Sequence, residues 1–201
     1  MSFNNFNPLQ MDALREVGNI GSGNAATALS QLLNKKIDMT VPSINIVPFR
    51  DIFSRIGGEE LVVGVIVRVL GDTPGNILFV FEKETALGII ESLIGEKNSQ
   101  ISEMGSSVLC EIGNIISGSY LNAISKLTNL AIMPSVPAIA TDMLGAILST
   151  TFIESGQYDD FVLDIETTFK QGENSEHMGG HFYYIPMPGS LEKILNILGV
   201  K

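Results

Sequence analysis

Two stretches decide the fold: NPLQMDALREVGNIGSGN at residues 7–24 and SEMGSSVLCEIGNIISGS at residues 102–119. Asp12-x3-Glu16-x2-Asn19 in the first returns as Ser107-x3-Glu111-x2-Asn114 in the second, and Pro42 returns as Pro137. Glu, Asn and Pro each recur at an offset of 95 residues. Three residues advance a helix by nearly one turn, so each Glu and Asn share a helix face. A pair that returns at unchanged spacing points to a duplicated fold with two equivalent surface sites.

Both stretches start as helices do. Asn7 can cap, Pro8 takes the first helical position, and Gln10 can bond back to complete a capping box. Leu9, Ala13, Val17, Ile20, Ala28, Leu29 and Leu32 then trace an apolar face to about Asn34. Ser102 is the equivalent cap. Val108, Ile112, Ile115, Ile116, Leu121, Ile124 and Leu127 carry the second helix to about Leu127. Its apolar circumference is wider, which predicts deeper burial.

Working outward, each long helix precedes a β-rich segment holding the motif proline, Ile37–Val47 and Ala131–Thr141. Val- and Ile-rich runs at 60–70 and 75–82, punctuated by Gly71-Asp72-Thr73-Pro74, predict a hairpin. Runs at 160–170 and 180–187 predict a second, joined by the polar segment 171–179. Each half closes with an amphipathic helix, at 84–94 before Gly95 and 191–198 before Gly199, with glycine as the C-cap. Further short helices are predicted at 142–153 and 49–56. The expected fold class is α+β: a largely antiparallel sheet continuous across a pseudo-twofold axis, two long motif-bearing helices side by side, and further covering helices. One domain made of two repeats, about 1–98 and 99–201, is expected, because no linker separates them.

Composition sets limits. Hydrophobic residues are 45% and charged residues 17% of 201, which suits a folded globule. A formal charge of −10 argues against nucleic acid and anionic membrane surfaces and favours a partner with basic groups. Cys110, the one cysteine, excludes an internal disulfide and fits a reducing compartment. The polar N-terminus predicts no signal peptide, and no apolar run approaches a bilayer span. A cytoplasmic protein without membrane insertion is expected. A monomer is expected too, since the duplication supplies the symmetry of a dimer.

An exposed Glu and Asn contribute little to stability, and Asn is about 0.6 kcal/mol worse than alanine in a helix. Their recurrence therefore favours function over a solvated stripe. Gly18 and Gly113 precede the asparagines, and Gly23 and Gly118 lie further on, each costing about 1 kcal/mol in a helix. Tight packing between the long helices and a flat surface for a partner's approach both explain them. Gly18-x-x-Gly21-x-Gly23 lacks the preceding strand and following Lys of a phosphate loop. His177 and His181 are expected to be exposed hairpin residues, and Cys110 a small buried hydrophobe. Asp159, Asp160 and Asp164 match no calcium-loop spacing and are expected along a solvated strand edge. No metal site is expected. Pro42 and Pro137 are expected to shape the β segment.

D/S-x3-E-x2-N with 22 residues before Pro resembles the signature of the CheC/CheX/FliY family of chemotaxis phosphatases. Asp12, Glu16, Asn19 and Pro42 match it once; Ser107, Glu111, Asn114 and Pro137 match it again. Two intact motifs are similar to the CheC branch rather than CheX, and FliY carries additional regions. The resemblance implies hydrolysis of the aspartyl-phosphate of the response regulator CheY. Glu16, Asn19, Glu111 and Asn114 would be the catalytic set, and Asp12, Ser107, Pro42 and Pro137 would support the motif. Asn would position the attacking water, Glu would pair with a regulator lysine, and Mg²⁺ would be supplied by phospho-CheY, leaving no cofactor of the chain's own. It also implies binding of the receptor deamidase CheD through the second half, with Asp142, Met143 and Ile147 as candidate contacts. A non-catalytic module regulating CheD is the alternative, and a flagellar-switch scaffold a third reading.

Overall fold

The structure, a computed structural model, describes residues 7–48, 51, 60–95, 97–155, 161–171 and 178–199. Helix α1 spans Pro8–Leu33 and α3 spans Glu103–Thr128, each 26 residues long. The capping box forms: Asn7 Oδ1 accepts from the Gln10 amide and Gln10 Oε1 accepts from the Asn7 amide, both at 2.9 Å. At α3, Ser102 Oγ accepts from the Gly105 amide at 3.0 Å. Both helices end on a left-handed asparagine, Asn34 (φ 48°) and Asn129 (φ 57°), whose amide returns to the last turn. The duplication thus extends to both caps of both helices.

The strands are β1 (Ile37–Pro48), β2 (Leu61–Gly71), β3 (Gly75–Glu82), β4 (Ile132–Pro134), β5 (Ala138–Met143), β6 (Phe161–Gln171) and β7 (Met178–Pro186). They form one antiparallel sheet in the order β1-β6-β7-β3-β2-β4, with β5 also on β2. The hairpins β2–β3 and β6–β7 meet at the centre through β3 and β7. The halves exchange outer strands: β1 of the first pairs with β6 of the second, and β4 and β5 of the second pair with β2 of the first.

The β-rich segment expected at 131–141 is two strands with a break at residues 135–137. The β1–β6 register shifts between Thr40 and Ser43, so the break there spans Val41 and Pro42. A proline has no N–H to donate to a ladder and belongs at edges and bulges. Both motif prolines stand at these interruptions of the two edge strands.

One sheet face carries the larger core, with Leu14, Val17, Ala25 and Leu29 of α1 and Leu109, Ile112, Ile116 and Tyr120 of α3. Helices α2 (Lys83–Ile94) and α5 (Ser190–Ile197) add Ile89, Ile90, Leu191 and Ile194 to it. The other face carries a smaller core in which α4 (Leu144–Ser155) sets Leu144, Ile147 and Leu148 against Val62, Leu78, Val80 and Tyr183. Helix α3 buries twelve residues against seven for α1, as its wider apolar circumference predicts.

Other expectations need correcting. The helix expected from Asp142 starts at Leu144; Asp142 and Met143 end β5. Asp164 is buried in β6, because its position points into the face shared with Val162 and Tyr183 and not toward an edge. There its Oδ1 lies 3.3 Å from Nδ1 of His181 in β7, which is half-buried and stacked on Tyr183 rather than exposed on a hairpin. Cys110 is half-buried, and burial pushes its thiol up from the ordinary value. The predicted helix at 49–56, apart from residue 51, and Asp159, Asp160 and His177 lie outside the described residues.

Candidate active site

The motif residues divide each long helix into two faces. Leu14, Val17, Gly18 and Gly21 of α1 turn inward, while Asp12, Glu16 and Asn19 are exposed. In α3, Leu109, Ile112, Gly113 and Ile116 turn inward, while Ser107, Glu111 and Asn114 are exposed. Among the described residues, the side chains of Glu16, Asn19, Glu111 and Asn114 have no hydrogen-bond or ion-pair partner. Two acid–amide pairs therefore stand exposed on the helix surface, with nothing among the described residues to satisfy them.

The glycine before each asparagine lies against the sheet. A Cβ at Gly18 would come within 2.6 Å of Ile44 Cδ1, and one at Gly113 within 2.6 Å of Val65 Cγ1. Val65 pairs with Ile139, which stands to Pro137 as Ile44 stands to Pro42. Each motif turn thus lies directly on the sheet beside its own proline-bearing strand. These two glycines pack against strands, not against the other long helix. The helix crossing uses Gly21 instead, where a Cβ would meet the Tyr120 ring. Gly23 and Gly118 face open space, with nothing within 4 Å of an added Cβ.

The sites differ in their surroundings. Asp12 Oδ1 accepts from Arg15 Nη1 at 2.9 Å, both side chains being mostly exposed. The equivalent positions in α3 are Ser107, whose hydroxyl donates to the Glu103 carbonyl at 3.0 Å, and Cys110. The i,i+3 acid–base spacing of Asp12 and Arg15, and its lack at Ser107 and Cys110, are both visible in the sequence.

Away from the motif faces, Asp142 and Met143 are exposed, and Met143 (48% exposed) is the ladder partner of Leu61 (53% exposed). Ile147 is 5% exposed and belongs to the smaller core, so it offers no surface to a partner. Among the described residues, no three or more His, Cys, Asp or Glu converge as metal ligands, and no helix is long and apolar enough to cross a membrane.

The chain matches the profile of the CheC-like family at residues 9–46 and 104–140, the two motif helices with their proline-bearing strands. It is 37% identical over 203 residues to the CheY-P phosphatase CheC of Bacillus subtilis (strain 168), covering 98% of this chain and 97% of that protein. The chain belongs to the CheC-like family. It is also 32% identical over 135 residues to the flagellar motor switch phosphatase FliY of the same organism, across 65% of this chain and 35% of that one. The crystal structure of Thermotoga maritima FliY superposes with a TM-score of 0.80 at 23% identity, covering 96% of this chain and 98% of the other. That likeness confirms the α+β fold of this CheC-like chain.

Proposed function

We propose that this CheC-like chain hydrolyses the aspartyl-phosphate of the chemotaxis response regulator CheY at two sites, Glu16/Asn19 and Glu111/Asn114. The observation that carries this reading is the pair of exposed, unpartnered acid–amide faces on twin helices. The relative described as a CheY-P phosphatase supports it over nearly the whole chain.

Little covalent help is needed for phosphoryl transfer; positioning and charge stabilisation dominate. The carboxamide of Asn19 or Asn114 can hold a water by accepting from it or donating to it, in line with phosphorus. The carboxylate of Glu16 or Glu111 pairs with a lysine of the regulator and fixes how it docks. Glu and Asn side chains are flexible in solvent, so their helix must not move. The Gly18–Ile44 and Gly113–Val65 contacts supply that rigidity. Mg²⁺ is assigned to the phosphorylated regulator, where it neutralises phosphoryl charge.

Asn19→Ala and Asn114→Ala, singly and together, test this with purified phospho-CheY as substrate. Each single variant is expected to keep one working site, and the double variant to lose about 10² or more in phosphate release. Full activity in a folded double variant would refute the reading.

A second surface is proposed for CheD. Asp142, Met143 and Leu61 present an acid beside two exposed apolar side chains at one end of the β2–β5 pair. Met143→Glu is expected to abolish CheD binding while leaving phosphate release intact; unchanged binding would remove this surface from consideration.

A further inference from the structure

We propose that Arg15 is a specificity-determining residue of the first site, where it masks Asp12 as a second acidic anchor for the docking protein. The inference rests on the two-site phosphatase reading. Asp12, Glu16 and Asn19 stand at i, i+4 and i+7, one continuous exposed stripe of α1. That stripe offers a basic partner two carboxylates one turn apart. Arg15 Nη1 holds the nearer oxygen of Asp12 at 2.9 Å, so one of the two is already engaged. Its guanidinium is thereby drawn toward the N-terminal end of the helix, away from Asn19.

The second site is built differently. Ser107 takes the place of Asp12 with its hydroxyl turned back onto the Glu103 carbonyl, and Cys110 takes the place of Arg15. Between Ser107 and Asn114, Glu111 is the one acid, and it has no ion-pair partner among the described residues. A cation on the partner competes with Arg15 for Asp12, whereas Glu111 has no ion-pair partner among the described residues to compete with. The duplication therefore holds two docking faces of equal net charge but different make-up: two acids and a base at Asp12, Arg15 and Glu16, one acid at Ser107, Cys110 and Glu111. The first has a strength set by an internal ion pair, and the second a strength set by one carboxylate.

An exposed pair of this kind shifts an equilibrium by a factor of about two to five. The test uses the full chain with one site disabled and phospho-CheY as substrate, reading KM and kcat separately. In the Asn114→Ala background, Arg15→Gln is expected to lower KM by about two- to five-fold with kcat unchanged. Adding Asp12→Asn is expected to abolish that gain. In the Asn19→Ala background, Ser107→Asp is expected to lower KM similarly, because Cys110 cannot mask the new acid. Lys126→Gln, an equal charge change at the far end of α3, controls for net charge. An unchanged or raised KM in Arg15→Gln, a gain that survives Asp12→Asn, an unchanged KM in Ser107→Asp, or an equal gain in Lys126→Gln would each overturn the inference. Full activity surviving in Asn19→Ala/Asn114→Ala would instead overturn the assignment of the two Glu–Asn sites on which this inference rests.

Discussion

Gly21 of α1 lies against the ring of Tyr120 of α3 so closely that a Cβ there would stand 2.6 Å from Cδ1 and 2.8 Å from Cγ. Tyr120 is 2% exposed and stacks on Phe182 of the central strand β7 with ring centroids 4.6 Å apart. The ring cannot retreat, so the glycine fixes how near the two motif helices approach. Where α3 carries Ile116 and Tyr120, α1 carries Gly21 and Ala25 at the equivalent positions. Large side chains on one helix meet small ones on the other at this crossing.

Gly21→Ala is therefore expected to destabilise the fold by about 1–3 kcal/mol, the cost of overpacking a fixed site. A denaturant midpoint measured at constant m-value checks it. Stability equal to wild type would mean that the ring moves aside.

Gly23 and Gly118 predict the opposite. Neither has a neighbour to meet an added methyl, and alanine is favoured over glycine in a helix by about 1 kcal/mol. Gly23→Ala and Gly118→Ala are each expected to raise the melting temperature. If the bare backbone serves a partner's approach, they also raise KM for phospho-CheY. A stabilised variant with unchanged KM would leave these glycines without a docking role.

The contrast among these glycines shows where the sequence was legible and where it was not. The duplicated Glu–Asn spacing, the caps at Asn7 and Ser102 and the two hairpins follow from local rules, and the structure contains them. Two explanations of the glycines remained open because helical periodicity cannot say which neighbour a bare Cα faces. The structure divides them: Gly18 and Gly113 lie on strands, Gly21 lies on the other helix, and Gly23 and Gly118 face solvent. Strand exchange was not legible, since pairing of β1 with β6 joins residues more than a hundred positions apart. Burial of Asp164 beside His181 is not legible either, because side-chain alternation names two faces without saying which is covered. Ile147, expected at a partner surface, is instead turned onto the sheet by the helix that begins at Leu144.

Because the halves exchange strands, we propose that neither folds alone. In residues 1–98, β1 lacks β6 and β2 lacks β4 and β5. Residues 1–98 and 99–201 expressed separately are expected to give no cooperative thermal transition, and their mixture to regain one. A cooperative transition in either fragment would show two independent domains.

Asp72 in the β2–β3 turn predicts a pH dependence. Its Oδ2 accepts from the Ala131 amide at 2.9 Å and its Oδ1 lies 3.2 Å from Lys193 Nζ, joining the turn to the segment after α3 and to α5. The Ala131 amide, then Lys193, hold this carboxyl below the ordinary carboxylate value. A group depressed on folding contributes stability above its unfolded pKa, about 3.9, and loses it as pH falls through the folded value. Asp72→Asn is expected to melt below wild type at pH 7, with the gap closing below about pH 4. A gap of constant size across that range would contradict the assignment.

The most direct test of the whole account is the lifetime of phospho-CheY in the presence of the Asn19→Ala/Asn114→Ala chain, with folding confirmed by its melting temperature. The account predicts a lifetime close to that of phospho-CheY alone, against a sharp shortening by wild type. Equal shortening by both would show that the water is positioned by other groups and that the two acid–amide faces are not the active sites.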